Sequence, residues 1–251
     1  MKRLLSQFLP RLTQAYVRRM SNEHFIQFIL SLIKARLQDT SPAEALKVLF
    51  TLDARLYTEQ GLLAVAHDGG IHTKHRHMKY HDFFTGRINK DDRVMDIGCG
   101  IGAVAYDVSK VAAQVVGMDF NADSIRTARE RYQNPNLTFR VGDALKPLPD
   151  ERFSVVILSN VLEHLPGRPR FLRHVQESLQ PRRILIRVPL FERDWRVPLK
   201  KELGVEWRLD PTHETEYTLE TFAEEMSAAN FRIDHLEVRW GEIWSEVSSN
   251  P

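Results

Sequence analysis

Apolar positions in the first ninety residues recur three and four apart, and from Arg93 onward they gather into short runs separated by helix-length amphipathic segments. The first spacing buries one stripe of a helix, and the second is the rhythm of a parallel sheet covered by helices. Leu4, Leu5, Phe8, Leu9, Leu12, Tyr16 and Val17 form one such stripe, which Pro10 should kink or split. A second helix is predicted over Asn22 to Leu37. A third should start at an N-cap Ser41, with Pro42 at the first helical position and Glu44 closing a capping box. Gly69 and Gly70 break the pattern, and the stretch from Ile71 to Phe84 is polar and rich in histidine.

Strands are predicted at Val94 to Ile97, Gln114 to Met118, Leu137 to Val141, Phe153 to Leu158 and Ile184 to Val188. Helices should fill Ala103 to Lys110, Ala122 to Tyr132 and Arg170 to Leu179. Residues 189–217 form an insertion without clear periodicity, carrying Trp195 and Trp207 among Arg193, Arg196, Lys200, Lys201 and Arg208. A helix near Leu219 to Ala229 follows, and Phe231 to Trp240, a turn at Gly241 and Ile243 to Val247 predict an antiparallel pair closing the sheet. The expected class is therefore α/β, a Rossmann-like, mostly parallel sheet with an antiparallel last pair, over 90–251. An N-terminal helical cap or accessory segment, 1–89, precedes it.

Composition narrows the partners. A net charge of +2 supplies no field for non-specific polyanion binding, so nucleic acid is not expected. The single cysteine, Cys99, excludes an intramolecular disulfide and agrees with a cytoplasmic location. The apolar stretch Phe25 to Ile33 is too short to span a bilayer and is interrupted by Gln27 and Ser31. Residues 1–20 carry Lys2, Arg3, Arg11, Arg18 and Arg19 and no acid. That basic helix touches an anionic membrane surface, imitates a transit peptide or packs on its own domain, and packing is favoured because any surface helix is amphipathic. Homo-oligomerisation stays open.

The chemistry gathers at predicted strand ends. Gly98, Gly100 and Gly102 occupy alternate positions between the first strand and the next helix, where glycine permits a tight turn and a close approach of backbone to ligand. Asp119 ends the second strand, placed to accept ribose hydroxyls, and Asp143 follows the third in Gly142-Asp143-Ala144, placed to meet an adenine edge. Three strand ends thus meet at one crevice.

Asp96-Ile97-Gly98-Cys99-Gly100-Ile101-Gly102, Asp119, Gly142-Asp143-Ala144 and Ser159-Asn160-Val161-Leu162-Glu163-His164 together resemble the class I S-adenosylmethionine-dependent methyltransferases, over roughly Asp92 to Val247. The resemblance implies a seven-stranded sheet and S-adenosyl-L-methionine as cofactor. It implies that Asp96 and the loop Gly98, Cys99, Gly100 and Gly102 hold the methionine moiety, Asp119 the ribose and Asp143 the adenine. Phe120, Ala144, Ser159 and Asn160 complete the expected cofactor contacts. The segment after the fourth strand lacks the Asn/Asp-Pro-Pro-aromatic and Pro-Cys motifs of nucleic-acid methyltransferases and resembles the small-molecule branch, including enzymes of quinone precursors and sugars. The histidine-rich linker and Asp210-Pro211-Thr212-His213-Glu214 resemble, more faintly, bacterial methyltransferases of polysaccharide or glycolipid assembly.

The expected reaction is O-methylation of a small molecule or a glycan or glycolipid intermediate, because a sulfonium methyl needs little beyond alignment and removal of the acceptor's proton. His164, just past the fourth strand, is the expected base, with His81 and His213 as alternatives. His72, His75, His77 and His81 match no zinc spacing, and no metal site is expected there. Two rivals are weighed: a nicotinamide-dependent dehydrogenase, whose usual Gly-x-Gly-x-x-Gly differs from the spacing here, and a non-catalytic subunit that keeps the fold to bind a partner.

Overall fold

A computed structural model describes residues 14–250. The basic stripe expected over the first twenty residues, with its break at Pro10, lies outside the described residues as far as position 13. The chain divides into two compact units, Met1–Arg55 and Leu56–Pro251. Helix α1, Asn22–Leu37, falls in the first and is N-capped by Ser21, whose side chain accepts the His24 N–H at 3.3 Å. Helix α2, Pro42–His67, crosses the boundary. Ser41 Oγ accepts the Glu44 N–H at 3.4 Å, but the Glu44 carboxylate pairs with Lys47 Nζ at 2.8 Å, one turn along. No helix among the described residues is long and apolar enough to cross a membrane.

In the second unit, two short helices, α3 (Lys74–Met78) and α4 (Tyr80–Thr85), precede the sheet, with Lys79 between them in the left-handed region. The strands are β1 (Arg93–Ile97), β2 (Gln114–Asp119), β3 (Leu137–Val141), β4 (Val155–Ser159), β5 (Arg183–Pro189), β6 (Phe231–Arg239) and β7 (Glu242–Ser249). Their spatial order is β3-β2-β1-β4-β5-β7-β6, parallel except for the antiparallel β7. The order reverses between β1 and β4, where ligands of open α/β sheets bind. Helices α5 (Ala103–Ser109), α6 (Ala122–Arg131) and α7 (Arg168–Leu179) make the crossovers; α8 (Arg196–Glu202) and α9 (Leu219–Ala228) follow β5.

Successive strand side chains alternate between faces, so the central strands feed two cores. Met95, Ile97, Val116 and Leu158 pack with Phe171, Leu172 and Val175 of α7 and Phe222 and Met226 of α9. Val94, Val115, Val155 and Ile157 pack on the other face with Tyr80, Phe83 and Phe84 of α4, Val104 and Val108 of α5, Ile125 of α6 and Trp244 of β7. The aromatic end of the histidine-rich stretch is thus part of the core beside the sheet.

Two differences from the sequence expectation have local causes. The fourth strand starts at Val155, not Phe153: the Phe153 N–H donates to Leu179 O at 3.1 Å, and the Ser154 hydroxyl is engaged with Asp92 at 2.7 Å. The insertion is not featureless. It contains α8, and a parallel bridge between Leu190 and Tyr217 brings its two ends together.

Candidate active site

The loop after β1 is shaped by its glycines. Gly98, Gly100 and Gly102 all have positive φ, at 71°, 53° and 85°. A Cβ on Gly98 would lie 2.6 Å from Val161 Cγ2, and one on Gly102 would lie 2.6 Å from Phe139 Cζ, whereas one on Gly100 would meet nothing within 4 Å. The outer two glycines therefore let the loop settle on the core, and the middle one has an open side. The N–H groups of Gly98 and Cys99 donate to Met118 O at 2.7 and 3.1 Å, and that of Gly142 donates to Asp119 O at 2.9 Å. The ends of β1, β2 and β3 are joined in this way.

Asp119 accepts the Gly100 N–H at 2.9 Å on Oδ2 and the Asn121 N–H at 2.8 Å on Oδ1. Each carboxylate oxygen keeps a further lone pair, which suits two vicinal hydroxyls. Phe120 beside it is 78% exposed, an uncovered aromatic face at the rim. Asp143 is exposed and accepts the Leu145 N–H at 2.9 Å, and Ala144 packs against the core. Asp96 is buried, and its Oδ2 has no hydrogen-bond partner. Burial, and then the Asp119 charge, push its carboxyl up to about 8. Cys99 is half-buried, and burial together with the neighbouring acids raises its thiol far above the ordinary value, which keeps it protonated. An orphaned buried acid beside an open glycine backbone fits the cationic amine of a methionine moiety. The residues present thus fit S-adenosylmethionine.

After β4 the chain turns at Asn160, which has φ 58° and whose N–H donates to Arg187 O at 2.8 Å. Ser159 Oγ accepts from the Arg187 guanidinium at 3.1 Å. A short 3₁₀ turn, Leu162–His164, brings Glu163 and His164 to the same rim. Residues of the insertion close onto it, because the Glu214 N–H donates to Glu163 O at 2.7 Å. The His164 and His213 rings meet edge to face, 4.6 Å between centroids. Burial, and then His213, lower the pKa of His164, which favours its neutral form. Glu163 is fully buried with neither carboxylate oxygen hydrogen-bonded, and burial pushes it up to about 7.

The structure brings His164 and His213 together and holds His81 in another cluster. His81 Nδ1 lies 2.6 Å from Asp107 Oδ2 and its Nε2 lies 3.0 Å from His75 Nδ1, while the Tyr80 hydroxyl lies 2.9 Å from the same His75 nitrogen. His75, His81 and Asp107 line a cavity with Tyr106 and Tyr132. Trp207 and Phe191 pack edge to face at 5.3 Å with Lys201 Nζ 5.0 Å from the Trp207 ring, and Trp195 is 70% exposed. Sequence reasoning did not nominate Glu163 as a functional residue. Its signal was an acid set directly against apolar Val161 and Leu162 beside His164.

A parallel sheet with an antiparallel seventh strand, a glycine loop after β1 and acids ending β2 and following β3 define a class I S-adenosylmethionine-dependent methyltransferase fold. The chain belongs to the methyltransferase-domain family, whose model matches residues 71–236. It is 30% identical over 128 residues to a ubiquinone biosynthesis O-methyltransferase of Bradyrhizobium diazoefficiens, covering 49% of this chain and 50% of that one. The enzyme of the same description from Rhodopseudomonas palustris is 30% identical over 117 residues, 46% of each chain. The chain thus spans about half the length of the curated relatives it matches. Among solved structures, the magnesium protoporphyrin IX methyltransferase of Synechocystis, with bound S-adenosylhomocysteine, superposes with a TM-score of 0.55 at 17% identity, over 69% of this chain and 84% of that one. A S-adenosylmethionine-dependent methyltransferase of Methanosarcina mazei gives 0.52 at 19% identity, over 66% and 96%. These likenesses favour neither the dehydrogenase nor the non-catalytic subunit.

Proposed function

We propose that this chain transfers the methyl group of S-adenosylmethionine to a hydroxyl oxygen of a small molecule. The observation that carries the reading is Asp119, whose two oxygens are fixed by Gly100 and Asn121 beside the glycine loop and keep lone pairs for a ribose. Asp96 and the open backbone of Gly100 hold the methionine end, Phe120 and Asp143 take the adenine, and Ser159 and Asn160 line the crevice on the β4 side. The cofactor supplies an activated methyl on a sulfonium. The protein supplies alignment, exclusion of water and removal of the acceptor's proton.

Removal of the proton falls to the cluster after β4, in which His164, His213 and Glu163 face one another; His81, held by Asp107, is left out of it. Oxygen is favoured over nitrogen by the O-methyltransferase relatives. A glycan or glycolipid acceptor is supported by the basic and aromatic insertion, where Lys201 and Trp207 offer charge and a ring face. The short helices α3 and α4 before β1 act as a cap on the crevice, and the lone Cys99 fits a reducing cytoplasm. The test is incubation with methyl-labelled cofactor and a pool of hydroxylated metabolites, read by mass spectrometry. A labelled product one methyl group heavier is expected, and labelled product confined to amines would reject the oxygen assignment.

A further inference from the structure

Within that crevice, the arrangement of Glu163, His164 and His213 has the chemistry of a metal site. One ligand atom from each lies within 4.8 Å of the other two. Ligands of a single tetrahedral ion sit about 3.4 Å apart, given zinc bonds of about 2.0–2.1 Å, so side-chain rotation of about an ångström closes the set.

The outer hydrogen bonds fix which nitrogens are free to bind a cation. The Thr212 hydroxyl donates to Asp210 Oδ1 at 2.7 Å, so its contact with His164 Nδ1 at 3.0 Å has the imidazole N–H donating. His213 Nδ1 lies 3.2 Å from Glu216 Oε1, a carboxylate, which only accepts. Glu216 is itself anchored by Arg193 and by the Leu209 N–H. Both imidazoles therefore carry the proton on Nδ1 and keep the Nε2 lone pair free. Metal-ligating histidines are oriented in this way by outer partners.

Glu163 supplies the independent observation. A buried carboxyl group with two unbonded oxygens costs several kcal/mol unless something compensates it. The Glu163 backbone N–H and the Asn160 side chain offset that burial only in part, and a cation held jointly with two neutral imidazoles would complete the compensation.

We infer that Glu163, His164 and His213 bind one divalent first-row transition cation, of which zinc is the type, with an open fourth position for the acceptor's hydroxyl. Two nitrogens and one carboxylate suit zinc and its neighbours and disfavour magnesium, which requires oxygen ligands. Only the identity of the fourth ligand rests on the O-methyl-transfer reading. A hydroxyl bound there loses its proton to water, and its lone pair then forms the O–C bond as the S–C pair returns to sulfur. In this arrangement His164 is a ligand, not a free base.

The experiment is equilibrium dialysis of the full chain against Zn²⁺ after chelator treatment, with bound metal read by elemental analysis and S-adenosylhomocysteine affinity read alongside as the measure of a folded site. One equivalent of zinc is expected. Glu163→Gln and His213→Ala should each weaken zinc binding by at least about tenfold while homocysteine-product affinity changes less than about twofold. His81→Ala should leave zinc binding unchanged. Failure to retain zinc, or retention undiminished in both Glu163→Gln and His213→Ala, would overturn the inference. Loss of zinc only in His81→Ala would also overturn it and move the ion to the His75–His81 cluster. Methylation of a hydroxyl by a zinc-free chain would overturn the acceptor hydroxyl as fourth ligand and leave the transferase reading standing.

Discussion

Asp119 Oδ2 accepts the backbone N–H of Gly100 at 2.9 Å, so the acid ending β2 and the middle glycine of the loop after β1 form one unit. Removing the carboxylate loosens the loop and, on the proposed reading, removes the ribose acceptor with it. Asp119→Ala should weaken S-adenosylhomocysteine binding by about 1.5–3 kcal/mol, the scale of lost charge-assisted hydrogen bonds. Titration calorimetry checks this, and unchanged affinity in a folded variant would contradict the ribose assignment.

Two glycines of the same loop should respond differently to alanine. At Gly102 a Cβ would lie 2.6 Å from Phe139 Cζ and 2.9 Å from Ala128 Cβ, with φ at 85°. Gly102→Ala should cost about 1–3 kcal/mol or more of stability in urea denaturation. At Gly100 a Cβ meets no protein atom within 4 Å. Gly100→Ala should therefore lose more cofactor affinity than stability, and the opposite ranking would reject the assignment of that open side to a ligand.

Buried acids give the ligand-free protein a pH signature. Asp96 is raised from 3.8 to about 8, chiefly by burial, and Glu163 from 4.5 to about 7 for the same reason. Across that window the folded chain keeps protons that the unfolded chain has released, so stability falls as pH rises. Asp96→Asn removes its share of this penalty. Its stability relative to the parent should climb between about pH 4 and pH 8 in thermal melts, and a flat difference would show that Asp96 is ionised when folded.

Arg187 and Glu242 form a buried bidentate pair across β5 and β7, at 2.6 and 3.0 Å, and Glu242 also accepts the Trp244 indole N–H at 3.0 Å. Glu242→Ala leaves the guanidinium uncompensated and should cost about 3–5 kcal/mol. Replacing both partners, Arg187→Met with Glu242→Leu, should recover much of that loss. Equal losses in the single and double variants would mean that the Trp244 bond, not the buried charge, sets the cost.

Most of the fold was legible because the determinants were local. β3 coincides with the predicted span, and α1 starts and ends where Ser21 and the spacing of apolar residues require. The glycine loop and the place of Asp119 were legible because positive φ calls for glycine and Asp119 closes an apolar strand run. Glu163 was not, since its burial depends on the insertion folding back so that Glu214 bonds to the Glu163 carbonyl, a contact fifty-one residues away in sequence. The place of His81, an alternative to His164 as the base, was not legible for a related reason. Only the three-dimensional packing of α4 on α5 reveals Asp107 as its partner.

The central claim is that this site moves a methyl group from S-adenosylmethionine to a hydroxyl at the His164 side of the crevice. The most direct test is a single assay with methyl-labelled cofactor and hydroxylated acceptors, read by mass spectrometry, comparing the parent with His164→Ala. The account predicts a labelled O-methyl product from the parent and a loss of turnover of about 10²–10⁴-fold in the variant, with cofactor affinity nearly unchanged. Equal turnover in both, or no label leaving a cofactor that binds tightly, would contradict it.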